Sequence, residues 1–338
     1  METPDLSALT LDAMQARHDE LSGIIRHTPT VALQTPLLAE ALLGATLTMK
    51  LECFQHTGTF KARGALSNLM ALSDEDRKRG ITAASAGNHA IAAGWAAARI
   101  GCPAKVVMQD NANPYRVTLA RATGADVILK APGAPTFAEA ERLVSEEGRS
   151  FIHPFDGLHT VLGTAGVGLE FLQDVPDLDA VVVSVGGGGL IGGVAAAVKA
   201  LSPSCEVFGV EPHGADAMTR SLANGAPVTL DKVETVADSL GPPMALPLGL
   251  ALCQAYVDDM VTLDDDLICA GMALCQQESK LAVEPAAGAV LAAALGPLRQ
   301  RLAGRRVGLV ICGANIDAAG YATLLTRGAG AVERLLDL

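Results

Sequence analysis

Short apolar runs rich in β-branched residues alternate along the chain with longer Ala-rich stretches of helical spacing. That alternation predicts parallel α/β layering, because each buried strand needs a crossover helix to cover it. The runs that read as strands are 46–51, 81–84, 104–107, 126–129, 150–152, 180–185, 206–210 and 306–311. Helices are expected over 64–71, 88–100, 112–123, 134–147, 162–172, 189–201, 264–280, 284–297 and 316–327. Within 81–152 the strand–helix unit repeats three times. The pattern therefore predicts a smaller domain over 76–153, inserted into a larger one built from 1–75 and 154–338. No sequence repeat or low-complexity linker appears. The chain stops soon after Gly328, which predicts no appended regulatory domain.

Composition narrows the partners. Half of the 338 residues are hydrophobic and only 3% are aromatic, which suits close packing of Ala/Gly-rich helices on sheets. Lysine and arginine number 25 against 37 acidic residues, a net charge of −12. With no basic stripe, nucleic acid is not expected as a partner. The most apolar stretches are interrupted and too short to span a membrane. Seven scattered cysteines form no Cys-x-x-Cys pair. A disulfide framework or structural zinc is thus not expected, and a reducing cytoplasm is. The start, Met1-Glu2-Thr3-Pro4-Asp5, is acidic and lacks the apolar core of a signal peptide.

Chemistry concentrates at four places. Lys61 follows Thr57-Gly58-Thr59-Phe60, a turn-forming run with an aromatic neighbour. A desolvated lysine has a lowered pKa and becomes a nucleophile or base. By itself it reads first as a snorkelling lysine at a helix start. The run 180–185 leads into Gly186-Gly187-Gly188-Gly189 and then a helix. Glycines let backbone N–H groups approach an anion, and the helix dipole favours it. The loop lacks the Gly-Lys-Ser/Thr ending of a nucleotide P-loop, and as a dinucleotide fingerprint it fails at Ile191. Ser85-Ala86-Gly87-Asn88-His89 follows the strand 81–84 and opens a helix. Its exposed N–H groups suit a carboxylate, although Ser85 and Asn88 read equally as plain helix caps. Cys312-Gly313-Ala314-Asn315 ends the last strand. In open α/β sheets such strand ends line one crevice. An amine, a phosphate cradle, a carboxylate cradle and a ring partner together match one cofactor, pyridoxal 5′-phosphate (PLP).

These motifs in combination resemble the fold-type II PLP enzymes, in particular the threonine/serine dehydratase and serine racemase group. The resemblance runs from about Leu33 to Gly328. It implies two doubly wound, tryptophan synthase β-like domains with the active site in the cleft between them, and a homodimer. Lys61 would bind the cofactor covalently and later act as the base at Cα. Phe60 and Asn88 would flank the ring, Asn88 through the ring hydroxyl. Gly186, Gly187, Gly188 and Gly189 would hold the phosphate. Cys312 would face the pyridine nitrogen, where a thiol is a weak partner that favours prompt loss of a β-leaving group. Ser85, Ala86, Gly87, Asn88 and His89 would surround the substrate carboxylate. The activity implied is α,β-elimination from a β-hydroxy-α-amino acid to a 2-keto acid and ammonia. A β-replacement or racemase-like enzyme on the same fold, and a small-anion sensor using the glycine loop alone, are the alternatives.

Three departures sharpen the expectation. Racemases of the group resemble Ser-Ser-Gly-Asn-His; Ala86 has no proton to give the opposite face of Cα, so little racemisation is expected. The run 161–168 lacks the usual Ala-Gly-Gln-Gly-Thr, which points away from plain threonine towards a larger or unusual β-hydroxy amino acid, such as phenylserine or one from hydroxyectoine breakdown. Relatives can carry a cation on a Glu, a backbone carbonyl and an Asp. Glu211 and Ala215 match that pattern, but Ala217 stands at the last place with Asp216 one residue early, so no metal is expected.

Overall fold

The computed structural model describes residues 4–337; Met1, Glu2 and Thr3, the head of the acidic run, lie outside the described residues, as does Leu338. Strands β1 (Thr30–Leu33), β2 (Thr46–Lys50), β7 (Ala180–Ser184), β8 (Glu206–Pro212), β9 (Asp259–Leu263) and β10 (Arg306–Val310) form one sheet in the order β1-β2-β10-β7-β8-β9. Strands β3 (Ile81–Ala84), β4 (Ala104–Gln109), β5 (Asp126–Lys130) and β6 (Ser150–Phe151) form a second, ordered β5-β4-β3-β6. Every pairing is parallel except β1 with β2. The result is an α/β fold with two mainly parallel sheets and helices on their faces.

Eight strands fall within two residues of the runs read from the sequence. The other two, β1 and β9, are the outer strands of the large sheet. Central strands betray themselves as unbroken buried runs, and all five residues of β7 are buried. β1 leaves Val31 and Ala32 exposed and β9 is only partly covered. An edge strand of this kind carries no such signature. The helix expected from residue 64 begins at Lys61 instead and runs Lys61–Met70.

One buried ionic cluster fixes that helix. Arg63, in its first turn, is fully buried. Its guanidinium forks onto Glu52 (Nε to Oε2 2.8 Å, Nη2 to Oε1 2.8 Å) and onto Glu170 (Nη1 to Oε1 2.7 Å, Nη2 to Oε2 2.8 Å). Lys50, the last residue of β2, adds a 2.9 Å contact to Glu170 and donates to Thr28 O at 2.7 Å. Glu170 comes from the Leu158–Asp174 helix. Burial would raise its carboxyl, but Arg63 and Lys50 hold it down at about 2.

Removing the arginine would strand two buried carboxylates. Arg63→Met should therefore lower stability by about 3–5 kcal/mol, read from the urea midpoint at neutral pH. The folded Glu170 carboxyl lies below its unfolded value. Its contribution is thus present above about pH 4.5 and is lost as pH falls towards 2. Glu170→Gln should flatten that acid limb of the stability curve.

Candidate active site

The C-terminal ends of β3, β7 and β10 open onto one cleft of about 1010 Å³, lined by all four expected motifs. Lys61 stands on its wall. Phe60 is the residue before the helix, and its backbone N–H donates to Cys312 O at 3.1 Å, while Thr59 Oγ1 donates to the same oxygen at 3.2 Å. The end of β10 thereby clamps the turn that presents the lysine. The Lys61 amine donates to Pro154 O and lies 5.0 Å from the Phe60 ring centroid. Burial brings it down from the usual lysine value to about 8, partly offset by Cys312 and Glu284 beside it. Lys61 does start a helix, yet its amine is turned inward rather than snorkelling to water.

The glycine loop follows β7. Gly188 adopts φ +91°, a conformation that side chains resist. A Cβ at Gly187 would sit 2.0 Å from Phe155 Cδ2, and one at Gly189 2.4 Å from Phe155 O. Glycine is therefore required here by close approach to the 153–156 turn. No side chain caps the Gly189–Leu201 helix. Among the described residues, the N–H groups of Gly186, Gly187, Gly188 and Gly189 meet no protein acceptor. Unpaired N–H groups in a largely buried loop are costly unless a ligand accepts from them.

The 85–89 turn repeats the arrangement at the end of β3. Neither Ser85 nor Asn88 caps the helix: Gly87 holds the N-cap position, and Ser85 Oγ accepts from Gly87 N at 3.2 Å. The N–H groups of Ala86, Asn88 and His89 have no acceptor among the described residues. His89 Nε2 lies 2.8 Å from Ile152 O, and a carbonyl only accepts, so Nε2 carries the proton. Burial and the nearby Lys61 push this imidazole down to about 3, so the ring is neutral and Nδ1 is bare. The turn therefore offers an anion its backbone N–H groups and no histidinium, while the buried Arg116 guanidinium, paired with Asp238, packs against Gly87.

Cys312 is buried at the base of the cleft and accepts from Ser184 Oγ at 3.4 Å. Burial pushes its thiol well above the ordinary range, so it stays protonated. The structure adds a group that sequence reading missed. Glu284, 1% exposed, accepts from Asn88 Nδ2 at 2.9 and 3.0 Å, from Asn315 N at 3.2 Å and from Ser239 Oγ at 3.3 Å. Asn315 Nδ2 in turn donates to Asn88 Oδ1 at 2.7 Å. Burial raises the Glu284 carboxyl, with Arg116 and Asn88 opposing. Its signal was a lone carboxylate between Val283 and Pro285 in an otherwise apolar run.

One expectation changes. Thr164, within the altered 161–168 run, is fully buried on the Leu158–Asp174 helix and donates to Gly189 O at 2.7 Å. That run backs the glycine loop, so its departure bears on how the loop is seated rather than on the substrate side chain. The Glu211 carboxylate accepts from Met218 N at 3.0 Å, Thr219 N at 2.8 Å and Thr219 Oγ1 at 2.6 Å. It caps the Ala217–Asn224 helix, and burial raises it to about 7. Among the described residues no cluster of His, Cys, Asp and Glu is arranged to hold a metal.

The residues present fit PLP: unpartnered loop N–H groups suit its phosphate, and a desolvated amine suits its carbonyl. Comparison with known proteins agrees. The model of the family described as pyridoxal-phosphate dependent enzyme matches residues 21–313. Phenylserine dehydratase of Ralstonia pickettii is 48% identical over 325 residues, 96% of this chain and 97% of that protein. L-threonine ammonia-lyase of Thermotoga maritima is 35% identical over 321 residues, 95% of this chain and 79% of that one. Maize serine racemase superposes with a TM-score of 0.88 at 33% identity, covering 96% of this chain and 98% of its own. With its lysine, its glycine loop and its match across 21–313, the chain belongs to the pyridoxal-phosphate dependent enzyme family.

Proposed function

We propose that this enzyme is an ammonia-lyase that eliminates water from a β-hydroxy-α-amino acid, giving a 2-keto acid and ammonia. The observation that carries the reading is the inward-turned Lys61 amine between two sets of unpartnered N–H groups in one cleft. When bound, PLP supplies an electron sink for the pair left at Cα. Gly186–Gly189 would bind its phosphate, Phe60 and Asn88 would flank its ring, and Cys312 would be the partner of the ring nitrogen. Ala86, Asn88 and His89 orient the substrate carboxylate through their backbone N–H groups, with Ser85 and Gly87 completing that turn. Lys61, poised near neutrality by burial, takes the Cα proton at Nζ. The Cβ–O bond breaks as a Cα–Cβ double bond forms, and the hydroxide leaves with one proton as water, balanced by the proton Lys61 removed from Cα; hydrolysis of the released enamine, through its imine, then gives the 2-keto acid and ammonia. A protonated Cys312 places no negative charge at the ring partner, which favours rapid elimination. Ala86 offers no proton to the opposite face, so elimination is favoured over racemisation.

The two sheets are proposed as the cores of two domains, 76–153 and 1–75 with 154–338, that close on the substrate. Seven free, buried cysteines support a reducing cytoplasmic setting. Among the described residues no helix is long and apolar enough to cross a membrane. A homodimer, implied by the family resemblance, is the proposed assembly.

Keto acid release from a panel of serine, threonine, phenylserine and hydroxyaspartate tests the reaction; activity on none would overturn it. Lys61→Ala should abolish both turnover and the visible absorbance of the holoenzyme. In the apoenzyme, the rate of PLP uptake should rise with pH as the Lys61 amine deprotonates, with a midpoint near 8. A midpoint near the ordinary lysine value of about 10.4 would show the amine to be solvated. Chiral chromatography of a single serine enantiomer should show keto acid without its mirror image; rapid inversion would contradict the role given to Ala86.

A further inference from the structure

The cleft has a wall that neither the cofactor nor the amino-acid backbone of a substrate uses. Twelve large apolar side chains are exposed among the described residues, and four of them, Phe137, Val144, Phe151 and Met244, line this one cleft. Scattered single apolar residues are ordinary on a surface, but a cluster gathered in a concave site marks a ligand contact. On the Ala134–Glu147 helix, Phe137 and Val144 lie seven residues apart and therefore share a face. Ala140 lies between them on that face and lines the cleft, as does the neighbouring Glu141, whose carboxylate borders the apolar face. Phe137 is 56% exposed, an unfavourable state for a phenyl ring with nothing against it.

Aromatic rings continue inward from this wall. Phe151 meets His153 edge-on with centroids 6.0 Å apart, and His153 meets Phe155 edge-on at 4.6 Å. Phe155 in turn packs on Gly187 of the glycine loop. Burial keeps His153 towards its neutral form, so the ladder carries no fixed charge to repel an apolar guest. Across the cleft stand Pro243 and Met244, and a thioether is a favourable partner for an aromatic edge.

Lys61, the glycine loop, Cys312 and Glu284 occupy the inner part of the cleft, and the 85–89 turn takes the carboxylate. The β-substituent of a bound amino acid is left to extend towards the mouth, where this apolar wall stands. A methyl group is too short to cover it. The whole cleft, at about 1010 Å³, lies at the upper end of the ~300–1,000 Å³ range of ligand pockets, which leaves space beyond the cofactor.

We propose that Phe137 and Val144, with Phe151 and Met244, form an aryl subsite, so that the preferred substrate is a 3-arylserine. This rests on the dehydratase reading and names the side chain the enzyme selects. Phe137 and Phe151 are both more than one-third exposed, so replacing them removes little of the core.

The test compares kcat/KM for L-threo-phenylserine and L-threonine in the holoenzyme and in a Phe137→Ala/Phe151→Ala double variant. The wild type should prefer phenylserine, and the ratio of the two efficiencies should fall at least about tenfold in the variant, chiefly through KM. A ratio that moves less than about twofold would overturn the subsite. If the wild type uses threonine with no preference for phenylserine, the aryl assignment fails and the dehydratase reading stands. Release of keto acid from neither substrate sinks the dehydratase reading instead. Binding is then read independently by calorimetry with L-phenylalanine and L-alanine, which carry no β-hydroxyl to lose. Tighter binding of phenylalanine, reduced to parity in the double variant, supports the subsite; parity in the wild type refutes it.

Discussion

The fork of Arg63 between Glu52 and Glu170 is the constraint on which the site depends. It lies two residues after Lys61 and locks the first turn of the helix that Lys61 begins. An apolar core could bury that turn as tightly, but it would not fix its rotation. Two bidentate contacts from one planar guanidinium do, because each is directional. Glu170 belongs to the same helix as Thr164, whose hydroxyl holds the carbonyl of Gly189. One helix thus spaces the lysine on one side against the glycine loop on the other. The ionic cluster is expensive to bury, and its return is precision in the placing of an amine rather than stability as such.

Burial then acts on the site as a whole. It moves Lys61, His89, Cys312 and Glu284 all towards their neutral forms. Backbone N–H groups at two strand ends stand without acceptors in the cleft and bring no titrating charge with them, and the cleft's buried Arg116 is paired with Asp238. Burial thus brings the Lys61 amine down to about 8 and raises the Glu284 carboxyl, so both groups move towards neutral pH in the same cleft.

Much of this was legible in the chain because the signals were local. Gly186–Gly189, Ser85–His89 and Cys312–Asn315 each follow an apolar run, so their place at strand ends could be read directly. Glu284 and Phe155 were not legible in the same way. Each acts through a residue far along the chain, as Asn88 meets Glu284 across 196 positions. The aromatic wall was hidden for another reason. Phe137, Ala140, Leu143 and Val144 read as one apolar stripe of helical period, the usual mark of a core-facing helix. Only the fold shows that Leu143 is buried away from the cleft while Phe137, Ala140 and Val144 line it. Edge strands β1 and β9 escaped because half-covered strands lack an unbroken apolar run.

Fold alone does not separate the reactions found among these relatives. A serine racemase superposes on the chain with a TM-score of 0.88, and a phenylserine dehydratase shares 48% of its sequence. The distinction must lie in a few side chains on a common frame. Under the proposed reading two positions matter for different reasons. Ala86 decides what happens after the Cα proton leaves: with no donor on the face opposite Lys61, reprotonation there has no local source and loss of hydroxide wins. The wall at 137–151 decides which substrate arrives, because an apolar surface rewards a ring and gains little from a methyl group. Reaction outcome and substrate choice are then separable. The first is set beside the carboxylate cradle on the turn after β3, the second on a helix and an edge strand at the mouth of the same cleft.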